Sequence, residues 1–373
     1  MYLFAISLFS YFLIRRIANQ VHSLLLVGIN VLLIIFYFEF EFQSFRDDSK
    51  EYFDNTQFIF ENYNLKELIF ILFNFQEGGE TFIIDTNNLF SKIYIFFYII
   101  YYVAAGEPSA IPLFYLLLKC ISLVFLVNFT KRNFQRFEEK KIIFIYLILL
   151  NPWTIYYQSF FFLKEGLIVF IGIVNIITFY KMVNNFKLHY FFYLVISLII
   201  IFYFRYYLVY VLIVFYFIYF FYSNILSKKE NNFIMYLPIF ATFLISTFFI
   251  SYRDFFNIMQ EQFNILGPLR YLTSPLFVNV ILIEEFSFRS INSLINNIFS
   301  FIFFISILKY DYQNKLINFL ILFVFTFSAS QFFAHPEILT GGRHRGFIFW
   351  SMALIVTLLY DYKKTKKNHS LRL

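Results

Sequence analysis

Residues 111–150 read IPLFYLLLKCISLVFLVNFTKRNFQRFEEKKIIFIYLILL, two apolar runs joined by a short basic loop. The first run carries Lys119 as its one charge. A helix needs about 20 apolar residues to cross a bilayer, so each run has the makings of a span. Short loops rich in lysine and arginine stay on the cytoplasmic side, which places KRNFQRFEEKK (131–141) there. That one assignment sets the direction of every other crossing.

The rest of the chain repeats the pattern. Of its 373 residues, 60% are hydrophobic and 14% charged, and the mean hydropathy is +0.69. Such a composition lies outside the soluble range and belongs to an integral membrane protein. Strand-type alternation is absent, which points away from a barrel and toward a helical bundle, because a helix satisfies its own backbone hydrogen bonds in lipid. The chain is therefore expected to be all-α: a single polytopic transmembrane bundle over residues 1–373, with about eleven spans.

Candidate spans lie at 2–14, 23–40, 110–128, 142–158, 160–180, 190–204, 207–223, 234–250, 295–308, 316–333 and 346–361. Alternation from a cytoplasmic 131–141 loop puts Arg15 and Arg16, Lys181 and Lys187, Lys228 and Lys229, Lys309 and Lys315 on the same side, together with the C-terminal KKTKKNHSLRL. Most of the Asp and Glu residues fall on the other side. Acids contribute little to orientation, so the basic residues fix the topology and the acidic face calls for another explanation. The net charge of +7 follows from orientation and implies no nucleic-acid partner.

Two segments on the acidic face are long, 41–109 and 251–294. Loops beyond about 15 residues are usually functional or disordered. These contain amphipathic stretches, read as short interfacial helices roofing a cavity. Residues 89–105 are apolar enough to span, yet a crossing there would invert every later loop, so they are expected to lie in the interface.

The 61 Phe and 30 Tyr accompany abundant Ile, Asn and Lys, a mixture that coding bias explains without a binding platform. A single Cys120 excludes disulfides within the chain, and the five His residues lack metal-ligand spacing. No P-loop, dinucleotide glycine motif, serine hydrolase elbow or metalloprotease helix is present, which argues against an ATP-driven pump.

Three stretches carry candidate chemistry. In FRDDSKEYFDNTQFIFENYN (45–64), Asp48 with Glu51 reads as a helix cap. Two adjacent carboxylates at a helix start cannot both cap, which frees Asp47 or Asp48 to act as a base or to hold a cation. A Mg²⁺ or Mn²⁺ site at Asp47, Asp48 and Glu51 is not distinguishable from a cap by sequence, so the metal stays open. In NPWTIYYQSFFFLKEGLIVF (151–170), Lys164 and Glu165 sit at the edge of a span, either as snorkelling ends or as a phosphate-neutralising lysine oriented by its neighbour. In HPEILTGGRHRGFIFW (335–350), two glycines precede Arg343, His344 and Arg345 just before a helix start, a combination suited to phosphate. Arg205, between two apolar runs, requires a partner or an anion.

The order of these parts resembles GT-C type glycosyltransferases. The acidic D-D-S-x-x-Y helix (Asp47, Asp48, Ser49, Tyr52) and the G-x-P-S before a span ending in K-R (Gly106, Pro108, Ser109, Lys131, Arg132) resemble the N-terminal half of that family. The hairpin Asn151, Pro152, Tyr156, Tyr157, Ser159, Lys164 and Glu165 is similar to its third and fourth spans. Arg343-His344-Arg345 is similar to the R-Y-R before the last span of several bacterial members, with His344 in place of the tyrosine. Bacterial polysaccharide and O-antigen polymerases share the same arrangement.

The resemblance implies transfer of a sugar from a polyprenyl phosphate- or pyrophosphate-linked donor on the outer face of the bacterial cytoplasmic membrane, in cell-surface polysaccharide synthesis. It implies that Asp47 or Asp48 is the acceptor-activating carboxylate. Lys164, Glu165, Arg205, Arg343, His344 and Arg345 are then the substrate-binding residues. The partners expected are the lipid-linked saccharide, the bilayer and other polysaccharide-assembly membrane proteins. A repeat-unit polymerase and a lipid-linked saccharide flippase are the alternatives. The flippase is the weaker of these, because it needs charges along a path through the bilayer, and Lys119 is nearly alone in mid-span.

Overall fold

The computed structural model describes residues 2–41, 54, 56–58, 60–62, 98–100, 102–103, 106, 109–134, 137–155, 165–226, 288–308, 310, 314–334 and 346–370. Every regular element among them is helical: α1 (Tyr2–Arg15), α2 (Gln20–Glu41), α3 (Ala110–Asn133), α4 (Phe137–Leu149), the single turn α5 (Pro152–Ile155), α6 (Glu165–Asn184), α7 (Leu188–Leu226), α8 (Phe288–Leu308), α9 (Lys315–Ala334) and α10 (Gly346–Ser370). Two of these, α3 and α6, are long and apolar enough to cross a membrane. The expected span 234–250 and the part of the second outer loop before Phe288 lie outside the described residues.

Helix ends depart from the apolar runs where polar chemistry intervenes. The expected 142–158 span stops at Leu149. Asn151 precedes Pro152, whose ring disfavours helical backbone at the residue before it. Pro152 then opens the single turn α5, where its missing N–H costs nothing. Asn151 serves as the cap, its side-chain oxygen accepting from the Thr154 N–H at 3.4 Å. Similarly, Asn19 caps α2 by accepting from His22 N–H at 2.9 Å, and Asn314 caps α9 through Leu316 N–H at 2.9 Å. Gly106 has a φ of 81°, a backbone conformation that side chains with a Cβ resist, and it turns the chain shortly before α3 begins.

The helix α7 is two helices joined at Arg205, whose backbone (φ −154°, ψ 79°) is extended. The expected pair of segments at 190–204 and 207–223 meets at this break.

The chain forms two compact units. The first comprises 1–128, 149–175 and 195–206. Within it α1 packs on α2. The buried Asn30 of α2 donates to the Leu149 carbonyl at 3.0 Å, satisfying an open acceptor at the end of α4. Asn175 donates to the Ser197 hydroxyl at 2.7 Å in another buried contact, tying α6 to the first half of α7. Pieces of the expected outer loop 41–109 belong here. Helical residues 56–58, 60–62, 98–100 and 102–103 meet through Phe60, Tyr98 and Tyr102, with Tyr98 and Tyr102 stacked at 5.8 Å. Thr56 and Tyr98 are buried, while Asp54, Glu61 and Asn62 are exposed together with Phe58, Tyr102 and Val103.

The second unit comprises 129–148, 176–194 and 207–373. Its core is aromatic. Phe179 of α6 stacks on Tyr216 of α7 with ring centroids 3.9 Å apart. Phe319 of α9 packs edge-on against Tyr180 at 4.9 Å and against Tyr219 at 4.7 Å. Phe129 at the end of α3 reaches Tyr180 at 5.4 Å. The α10 helix lies against α8 and α9, with Phe299 and Phe349 in contact and Trp350 buried.

The loops that charge counting groups together, 131–141 and 181–187, both fall in this second unit, with Arg132 close enough to Lys181 for their charges to repel. Glu138 pairs with Lys131 at 2.6 Å and with Lys141. Hydrogen bonds from Lys131 and then Lys141 hold its carboxyl below the usual range. A group with a depressed folded pKa stabilises fully above its unfolded pKa and loses that contribution as pH falls through the folded value. The side chain is half-exposed, so the effect is small, under about 1 kcal/mol. Thermal melts of Glu138→Gln against the parent protein are expected to differ slightly at neutral pH and to converge once the carboxyl is protonated.

Candidate functional site

Of the residues singled out by sequence, Asp47, Asp48, Lys164, Arg343, His344 and Arg345 lie outside the described residues, whereas Glu165 and Arg205 are described. The structure brings those two together. The Arg205 guanidinium donates to Glu165 Oε1 in a hydrogen-bonded ion pair, across 40 positions of sequence. Both belong to the first unit.

Local structure explains the placement of each. Glu165 opens α6, where four backbone N–H groups lack partners within the helix and a carboxylate is favoured by the helix dipole. Arg205 ends the first half of α7, where exposed carbonyls favour a cation. The pair thus joins the positive end of one helix to the negative end of another, each with a compensating side chain.

Buried apolar residues flank both positions in sequence. Side-chain exposure is 7% for Glu165 and 18% for Arg205, with Leu167, Ile168, Val169, Ile201 and Leu208 buried nearby in sequence. Taking two ions out of water is costly, and attraction between them repays that cost when the hydrogen-bonding geometry is good. A buried carboxylate has two oxygens to satisfy. Arg205 satisfies Oε1, while Oε2, also buried, has no hydrogen-bond partner among the described residues.

Sequence reasoning linked Glu165 to its neighbour Lys164 and left Arg205 seeking a partner or an anion. The partner is Glu165. A contact between positions 165 and 205 requires the tertiary fold, because spacing within one helix does not specify it. A hint was nonetheless present, since Arg205 and Glu165 are opposite charges at the ends of apolar runs assigned to the same face.

Lys119 and Glu165 are the buried charged residues among those described, both in the first unit. No cluster of three or more His, Cys, Asp or Glu side chains able to hold a metal occurs among the described residues. Searches for relatives find no matching family model, no matching curated protein and no matching solved structure.

Proposed function

We propose that this chain is a membrane-embedded glycosyltransferase of about eleven spans with its C-terminus in the cytoplasm. It would use a polyprenyl phosphate- or pyrophosphate-linked saccharide donor on the outer face of the bacterial cytoplasmic membrane. The observation that carries this reading is the buried Glu165–Arg205 pair. Ionisable residues buried among apolar helices of a membrane bundle are expensive and are kept for substrate or ion handling. The pair sits at the helix ends that charge asymmetry assigns to the outer face, where the acidic Asp47–Asp48 segment and the Arg343–Arg345 cluster are also assigned.

In the proposed reaction Asp47 or Asp48 takes the proton from the acceptor hydroxyl as it attacks the anomeric carbon. The bond from that carbon to the donor phosphate breaks, and the phosphate leaves with its electron pair. Arg343, Arg345 and Lys164 stabilise the charge that develops on it. His344 lies between the two arginines and contributes a further donor. A divalent cation at Asp47, Asp48 and Glu51 is compatible with this scheme but is not required by it.

Two alternatives make different predictions in a deletion strain. With a transferase missing, lipid-linked saccharide one sugar short accumulates on the outer face. With a polymerase missing, single complete repeat units accumulate there, and with a flippase missing they accumulate inside. Mass and sidedness of the extracted lipid-linked saccharides decide among the three, and an unchanged pool would exclude all of them.

A further inference from the structure

The sequence alone assigned Arg205 the need for a partner or an anion, and a phosphate of the donor lipid is the natural anion in that setting. The ion pair changes this. Glu165 already neutralises Arg205, so the two side chains together carry no net charge. A neutral pair offers little to a phosphate, which seeks uncompensated positive charge. Glu165 Oε2 is in addition a strong acceptor, because Glu165 is 6% exposed and that oxygen has no hydrogen-bond partner among the described residues.

A buried carboxylate oxygen of this kind takes a hydrogen-bond donor without its own charge. A hydroxyl group fits. A second cation fits less well, because the guanidinium already neutralises the carboxylate charge.

We propose that Glu165, held by Arg205, is a specificity-determining residue that accepts a hydrogen bond from a sugar hydroxyl of the lipid-linked saccharide. It reads the saccharide and leaves the phosphate to other residues. This rests on the proposed function, of which it narrows one part. Arg205 is the positioning residue: its bond to Oε1 fixes the carboxylate so that Oε2 presents in one direction. A site built to bond a substrate hydroxyl discriminates strongly against ligands lacking it, since the buried acceptor is then left unpaired.

The test uses the full-length protein in lipid nanodiscs and two kinds of probe. One is polyprenyl phosphate bearing no sugar. The other is a panel of polyprenyl-phosphate hexoses and N-acetylhexosamines. The expected result is that at least one sugar-bearing lipid binds the parent protein more tightly than the bare lipid. Glu165→Gln is expected to weaken that ligand by about 10- to 100-fold while leaving the bare lipid unchanged. Retained binding of the bare lipid also shows that the variant is folded.

A second variant separates recognition from architecture. The exchange Glu165→Arg with Arg205→Glu restores an ion pair but moves the acceptor and sets each charge against its helix dipole, so it is expected to recover only part of the thermal stability lost by either single exchange, and not saccharide preference. The proposal is overturned if no sugar-bearing lipid is preferred, if the preference survives Glu165→Gln, if Glu165→Gln weakens both probes equally, or if the exchanged pair restores preference. Failure of the parent protein to bind any polyprenyl lipid would instead remove the proposed function itself.

Discussion

Replacing Arg205 with leucine is expected to lower stability by about 3 to 5 kcal/mol, because it strands the Glu165 carboxylate in an apolar setting without its counter-ion. The cause is the desolvation of an unpaired ion, not the loss of attraction as such. The double variant Arg205→Leu with Glu165→Leu should therefore recover most of what the single change loses, since a hydrophobic pair of similar volume is often as stable as the ion pair it replaces. Denaturation in mixed micelles, followed by helicity, measures both. Strictly additive losses in the double variant would show that the two side chains do not depend on one another. Glu165→Gln should cost less than Arg205→Leu, because the charge it leaves belongs to the more exposed side chain and the glutamine oxygen can still accept from Arg205.

The other large effect concerns rate. Asp47→Asn, Asp48→Asn and Arg343→Ala are assayed for transfer from the native lipid-linked donor in reconstituted membranes. Arg343→Ala is expected to reduce turnover by about 100- to 1,000-fold, the usual consequence of removing one electrostatic partner of a developing charge. Of the two aspartates, the one serving as base should lose about 100-fold or more, and the one serving as cap should lose stability with modest change in rate. Full activity in all three variants, with normal insertion, would refute the mechanism. Equal modest losses in both aspartate variants would point to a shared metal site, which added Mg²⁺ or Mn²⁺ would then modulate.

The helices were largely legible because apolar runs and their polar interruptions are local features. Tyr2–Arg15, Gln20–Glu41 and Lys315–Ala334 follow the runs to within a few residues. The stop at Leu149 was encoded in Asn151–Pro152, though the apolar residues beyond it suggested a longer span. The extension of α10 through Lys363, Lys364, Lys366 and Lys367 to Ser370 was not evident, because hydropathy reports the end of an apolar run and not the end of a helix. Charge placed the break at Arg205, since a lone guanidinium between apolar runs seeks a boundary.

Of the candidate site, Glu165 and Arg205 were legible as isolated residue types and not as a pair. Nothing within a few positions of Arg205 announces Glu165, and nothing near Asn30 announces the Leu149 carbonyl. Such pairs arise from helix packing, which composition and periodicity do not specify. Sequence proximity suggested Lys164 as the neighbour that Glu165 orients, whereas the pairing of Glu165 with Arg205 comes from the fold.

The central claim is that Asp47–Asp48, the 151–165 hairpin, Arg205 and the Arg343–Arg345 cluster all face the outside of the cell. Cysteine labelling tests it most directly, because the native Cys120 is buried and can be removed as Cys120→Ser. Single cysteines at Ser49, Ser159 and His344 should react with a membrane-impermeant maleimide in intact cells. Cysteines at Gln135 and Asn185 should react after permeabilisation alone. Labelling of positions 49 and 344 from opposite sides of the membrane would contradict the account.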